Sequence, residues 1–155
     1  MNAIAIVLHL LSAVIWVGGM FFAYMILRPA AASALQPPER LTTWVQTFKR
    51  FFPWVWISVV LLPVTGYWLV FDVFHGLSTA PKSVNIMQGL GIVMILLYLH
   101  VYFSPFRRLC KAVDQADWVA GGKQLAIIRK LVAINMSLGL IVIAIASAGR
   151  YVLLS

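Results

Sequence analysis

Charged residues, and acidic ones above all, are scarce in this chain of 155 residues. Asp and Glu together number four, charged residues make up 10% of the sequence, hydrophobic residues make up 63%, and the mean hydropathy is +0.95. Soluble domains carry roughly 25% charged residues and about 45–50% apolar residues. The composition therefore excludes a soluble globular protein and predicts a membrane protein.

Cysteine is almost absent, since Cys110 is the only one in the chain. An internal disulfide and a cysteine-based zinc site within one chain are thereby excluded. The sequence also lacks a nucleotide-binding loop, a zinc-protease motif and a nucleophile elbow. The acidic residues all fall at or beyond the ends of the apolar runs: Glu39, Asp72, Asp114 and Asp117. A proton pump with a buried acidic relay is therefore not expected.

The sequence contains long apolar segments in place of these motifs. They cover about residues 3–27, 51–71, 84–104 and 129–154, and each approaches the ~20 residues needed to cross ~30 Å of hydrocarbon. We predict an all-α polytopic membrane protein, with residues 1–155 forming a single antiparallel bundle of four transmembrane helices.

Short amphipathic helices are expected at the cytoplasmic interface of this bundle. After Pro37-Pro38, apolar residues recur at helical spacing over residues 41–48, which predicts a helix lying on the inner membrane surface. Asp117 is predicted to cap a second short helix, which Gly121-Gly122 would interrupt before the fourth span.

The basic residues are distributed very unequally between the two sides of the membrane. Two residues, Lys82 and Arg150, fall on one side, and ten fall on the other: Arg28, Arg40, Lys49, Arg50, Arg107, Arg108, Lys111, Lys123, Arg129 and Lys130. The positive-inside rule then predicts a bacterial inner-membrane protein with both termini in the periplasm. The net charge of +8 is explained by basic residues that lie near the anionic head groups of membrane lipid. No nucleic-acid partner is expected.

Two histidines lie inside apolar spans, where polar side chains face protein, water or a ligand. His9 and Trp16 are seven residues apart in the first span and share one helical face. His100 lies in the third span. At 1.5 Å per residue, His9 lies about 9 Å and His100 about 24 Å below the same membrane side. Because they differ in depth, they cannot bind one iron together and are predicted as metal ligands of two sites.

Other residues at the depth of His9 are candidates to bind a cofactor with it. Tyr67 and Gln88 fall at this depth on the second and third spans. Arg150 on the fourth span is a natural partner of a haem or porphyrin propionate, although an arginine at a helix end also snorkels to head groups. The intramembrane methionines suit Cu(I), but they are also ordinary core residues: Met20, Met25, Met87, Met94 and Met136.

The segment H-L-L-S-A-V-I-W-V-G-G-M-F-F, residues 9–22, resembles the first-helix motif of the copper-resistance protein D (CopD) family of bacterial inner-membrane proteins. It is also similar to the corresponding helix of HemJ-type protoporphyrinogen oxidases. The runs over residues 87–103 and 128–140 look like those of small CopD-like proteins. The resemblance implies that His9 matches the family histidine proposed to hold metal or haem. The HemJ pattern has a lysine shortly before the third-span histidine, which this chain lacks.

Three functions are compatible with these features. The first expectation is a protein that binds haem b or a porphyrin through an intramembrane histidine and works in electron transfer or in quinone- or porphyrinogen-linked redox chemistry. The second is a copper-handling membrane protein or transport accessory, and the third is a cofactor-free subunit of a larger complex. Possible partners are quinone, porphyrin, another membrane redox protein and a second copy of the chain. The sequence leaves open whether the protein is an enzyme.

Overall fold

The structure, a computed structural model, describes the backbone of residues 2–152 and the side chains of residues 2–148. These residues form four long helices and no strand: α1 (Asn2–Ala34), α2 (Pro37–Phe74), α3 (Lys82–Asp114) and α4 (Trp118–Val152). All four are long and apolar enough to cross a membrane. The predicted all-α, four-helix membrane fold is confirmed.

The helices pack as two pairs. α1 lies along α2, α3 lies along α4, and α4 also contacts α1 and α2. Large apolar side chains such as Val14, Ile57 and Leu96 are exposed on the outside of the bundle. An exterior of this kind is suited to hydrocarbon, because lipid tails are as apolar as the side chains that face them.

Both odd-numbered helices widen next to a proline. A π-helical turn, Phe22–Leu27, precedes Pro29 in α1, and a second, Tyr102–Phe106, contains Pro105 in α3. Proline has no N–H and its ring crowds the carbonyl four residues earlier, and a π turn relieves both problems without ending the helix. The sequence placed the end of the first span at Arg28-Pro29, whereas α1 continues to Ala34.

The segment predicted to form a separate interfacial helix belongs to α2. This helix begins at Pro37 and continues without interruption to Phe74. Leu41, Trp44 and Phe48 are buried in the core and not spread on a membrane surface. The prediction of a separate helix was wrong because the apolar stripe of residues 41–48 packs against the inner ends of α3 and α4.

The start of α4 is also more regular than predicted. The carboxylate of Asp117 accepts a hydrogen bond from the Ala120 N–H at 2.9 Å, which confirms the predicted cap. However, Gly121-Gly122 does not interrupt the helix. A Cβ at Gly121 would lie 3.1 Å from the Leu41 side chain, so this glycine serves close packing of α4 against α2.

Aromatic residues spaced four apart join α2 to α3 along the core. Phe48 stacks on Phe52 with ring centroids 5.2 Å apart, and the Phe52 ring meets Phe106 edge-on at 4.7 Å. Trp56 meets Tyr98 edge-on at 5.5 Å. Each such pair contributes roughly 0.5–1.5 kcal/mol beyond the burial of its area. Aromatic contacts therefore hold α2 and α3 together in the basic half of the bundle.

Small residues let the helices approach in the middle of the bundle. A Cβ at Gly139 of α4 would lie 2.7 Å from Val17 of α1 and 3.1 Å from Met94 of α3. A methyl group there must push apart side chains from two other helices, and a β-branched valine has little rotamer freedom with which to yield.

We expect Gly139→Ala to destabilise the bundle by about 1–3 kcal/mol, the usual cost of overpacking. Gly89→Ala is the control, because a Cβ at Gly89 meets no atom within 4 Å. Unfolding in detergent, followed by circular dichroism, measures both variants. Equal stability of the two variants would show that the contact at Gly139 is not tight.

Candidate functional site

His9 is hydrogen-bonded across the bundle to α2. Its Nδ1 lies 2.8 Å from the Oγ1 atom of Thr65, which is only 5% exposed. The Thr65 hydroxyl also lies 2.6 Å from the Leu61 carbonyl oxygen one turn earlier, to which it donates. His9 therefore belongs to an α1–α2 hydrogen-bond chain and does not face lipid as an isolated polar group.

This chain fixes which ring nitrogen of His9 carries the proton. A threonine hydroxyl has a single hydrogen, and the short contact with the Leu61 carbonyl uses it. Oγ1 must then accept from His9, so Nδ1 is protonated, and in the neutral ring Nε2 carries the lone pair. A histidine that binds a metal is held in this way, with its second nitrogen donating to a neighbour that sets the tautomer and the ring orientation.

Gly66 gives the imidazole room beside α2. A Cβ at this position would lie 3.2 Å from the His9 Cε1 atom, which is closer than ordinary van der Waals contact. Thr65 and Gly66 thus fix the position of the ring, one by a hydrogen bond and the other by the absence of a side chain. Sequence reasoning missed both residues, although a T-G pair just after Pro63 in an apolar span was a visible signal.

Tyr67 and Gln88 are paired with each other. The Gln88 amide Nε2 donates to the Tyr67 hydroxyl at 2.6 Å, which links α2 to α3. Tyr67 follows Thr65 and Gly66 on α2, so this link lies at the same end of the bundle as His9. Among the described residues no hydrogen bond joins the Tyr67–Gln88 pair to His9, and a shared role in cofactor binding stays a prediction.

Trp16 lies in the core, about 10 Å along α1 from His9 at 1.5 Å per residue. It is 3% exposed, and its ring meets Tyr98 edge-on with centroids 6.1 Å apart. The Tyr98 hydroxyl donates to the Phe52 carbonyl oxygen at 3.3 Å. The shared helical face of His9 and Trp16 is real, but Trp16 packs within the aromatic core.

Asn135 brings a second polar side chain into the core. Its Nδ2 donates to the Met94 carbonyl oxygen at 3.3 Å, while its Oδ1 is buried and has no partner within the described chain. The residue borders a cavity of about 30 Å³, which Trp16 and Tyr98 also line. A space of this size admits a water molecule and not a macrocycle.

The remaining predicted site residues lie elsewhere. His100 is exposed on the outer surface of α3. Arg150 belongs to the helical end of α4, but its side chain is outside the described residues. Within residues 2–148, no three His, Cys, Asp or Glu side chains come together as a metal site.

The sequence profile of the family described as copper resistance protein D matches residues 45–148. The chain belongs to this family. No curated protein and no solved structure matches the chain significantly. The predicted resemblance to the CopD family is confirmed, and with it the assignment as a multi-pass membrane protein. The resemblance to HemJ-type oxidases stays a prediction, as do the individual site residues.

The hydrogen-bond chain makes a direct prediction about the His9 ring. In ¹⁵N NMR of the protein in micelles, we expect the Nδ1–H tautomer, with an unprotonated Nε2. Thr65→Val should remove this preference, while Thr65→Ser should keep it, because serine retains the hydroxyl that accepts from Nδ1. A dominant Nε2–H tautomer in the unsubstituted protein would contradict the assignment.

Proposed function

We propose that this CopD-family protein handles copper within the inner membrane and that His9 binds the ion through Nε2. The observation that carries the proposal is the His9–Thr65–Leu61 hydrogen-bond chain, which engages Nδ1 and leaves Nε2 without a hydrogen-bond partner among the described side chains. Copper is here the cargo of the protein. The family description, copper resistance, supports this substrate.

The donor chemistry of the spans also favours copper in its reduced state. The acidic residues lie at or beyond the ends of the apolar runs, so the spans offer neutral imidazole and thioether groups. Such soft or borderline ligands suit Cu(I), whereas Mg²⁺, Ca²⁺ and Mn²⁺ require carboxylate or carbonyl oxygens. Met87 precedes Gln88 on α3 and supplies a thioether at the same end of the bundle as His9.

The expected haem b fits less well. Imidazole Nε2 is an ordinary haem ligand, but the cavities formed among the described side chains measure about 20 and 30 Å³, far below the several hundred Å³ of a typical cofactor pocket, ~300 Å³ or more. The glycines on the facing helices also leave no flat slot for a macrocycle, because Val17 and Met94 fill the space at Gly139 and the Phe51 ring fills the space at Gly19.

His100 remains a proposed ligand only of a second, separate metal site. It is exposed on α3 and differs from His9 by about 15 Å in depth, as the rise of 1.5 Å per residue gives. We assign no described contact to quinone, porphyrin, a membrane redox partner or a second copy of the chain.

Copper affinity tests the proposal. We expect the purified protein to compete with a chromophoric Cu(I) chelator, and we expect His9→Ala to weaken binding by at least tenfold, since even loss of a residue that only orients a metal ligand costs about 10–100-fold. His100→Ala is the matched control, and it should leave the copper affinity of the His9 site unchanged. Full copper affinity in His9→Ala, or a Soret band with no copper in the unsubstituted protein, would overturn the proposal.

We further propose that both termini face the periplasm. The support is the distribution of Lys and Arg, ten on the side of the two long connections and two on the other side, because basic loops are retained in the cytoplasm. Reporters that are active only outside the cytoplasm should work when fused to either terminus. A reporter active in the cytoplasm at either end would reverse the orientation and the side from which copper reaches His9.

A further inference from the structure

Three arginines from three helices converge at the basic end of the bundle. Arg129 of α4 is half-buried and borders the same groove as Arg28 of α1. Arg40 of α2 adds a third positive charge that acts on Arg129. Like charges brought together at partly buried positions repel, so this arrangement favours an anion between them.

A groove between the same helices holds two of these arginines. Arg28 and Arg129 border it together with Tyr24 and Trp44. The Arg28 guanidinium carbon lies 4.9 Å from the centre of the Tyr24 ring, which holds the side chain at the groove. Arg40 precedes Trp44 by one helical turn and therefore shares its face of α2.

The inner part of the groove is apolar. Ala23, Phe48 and Val132 line it, so a ligand held there has a charged end at the arginines and an apolar end along the helices. Guanidinium groups bind phosphate oxygens through paired hydrogen bonds. The basic ends of membrane helices also lie at the depth of lipid head groups.

From this geometry we propose that Arg28, Arg40 and Arg129 bind the phosphate of an anionic membrane phospholipid, whose acyl chains lie against the apolar helix surface beside the groove. The occupant is a lipid and not a free anion because the charged mouth continues into an apolar wall. Binding joins α1, α2 and α4 at the basic end of the bundle. The proposal is independent of copper and of His9.

Phosphatidylglycerol added to delipidated protein in neutral detergent tests this site. We expect it to raise the unfolding temperature, and we expect phosphatidylcholine and inorganic phosphate not to do so. Arg129→Gln should raise the half-saturating concentration of phosphatidylglycerol about fivefold, the effect of one basic residue near an anionic surface. Arg108→Gln, which removes the same charge from an exposed position on α3, should leave it unchanged.

Four results would overturn the proposal: an equal shift with phosphatidylcholine, an equal shift with inorganic phosphate, no effect of Arg129→Gln, or an equal effect of Arg108→Gln. The second result would assign the arginines to a soluble anion, and the last would indicate a diffuse surface charge. Should Arg129→Gln not fold, Arg28→Gln carries the same test, because Arg28 lies at the helix surface over Tyr24.

Discussion

Hydrocarbon offers no hydrogen-bond partner, so polar side chains inside the spans must find one within the protein, and three of them find it on a neighbouring helix. His9 of α1 pairs with Thr65 of α2, and Gln88 of α3 pairs with Tyr67 of α2. The Asn135 amide of α4 donates to a carbonyl oxygen of α3. Each bond contributes on average only about 0.6 kcal/mol in a membrane protein. Their larger effect is on register, since helices that slide past one another would leave these groups unpaired.

The two halves of the bundle differ in how they are held together. At the basic end, aromatic rings spaced four apart on α2 interlock with those of α3, and α2 extends to Pro37 to supply them. At the opposite end, the packing contains a histidine, a threonine, a glycine and a tyrosine–glutamine pair. Polar groups are expensive at membrane depth. Their concentration in one half is the reason to place copper binding there.

Sequence patterns were sufficient for the features that depend on average hydropathy and spacing. They gave four spans, an all-helical fold, the Asp117 cap and the family. They failed where tertiary packing overrides a local signal. Residues 41–48 have the pattern of a surface helix but join the core, Gly121-Gly122 permits close packing and does not break α4, and Pro29 is accommodated by a π turn.

The candidate site was predicted only in part, for a similar reason. His9 stood out because a histidine in an apolar span is rare. Thr65 did not, because a threonine in a helix ordinarily bonds its own backbone, and its second contact depends on how α1 and α2 are rotated. Trp16 lies on the same helical face as His9, but two turns further along α1 this face packs against the aromatic core and no longer against Thr65. Periodicity reports the face of a helix and not what lies opposite it.

The central claim is that Nε2 of His9, oriented by Thr65, binds copper. X-ray absorption at the copper edge of the Cu(I)-loaded protein tests it most directly, because imidazole ligands give a characteristic multiple-scattering pattern. We expect this pattern in the unsubstituted protein and in His100→Ala, and we expect its loss when His9→Ala is combined with His100→Ala, which removes the ligand of the proposed second site. A copper spectrum without imidazole scattering, or one that the combined substitution leaves unchanged, would contradict the claim.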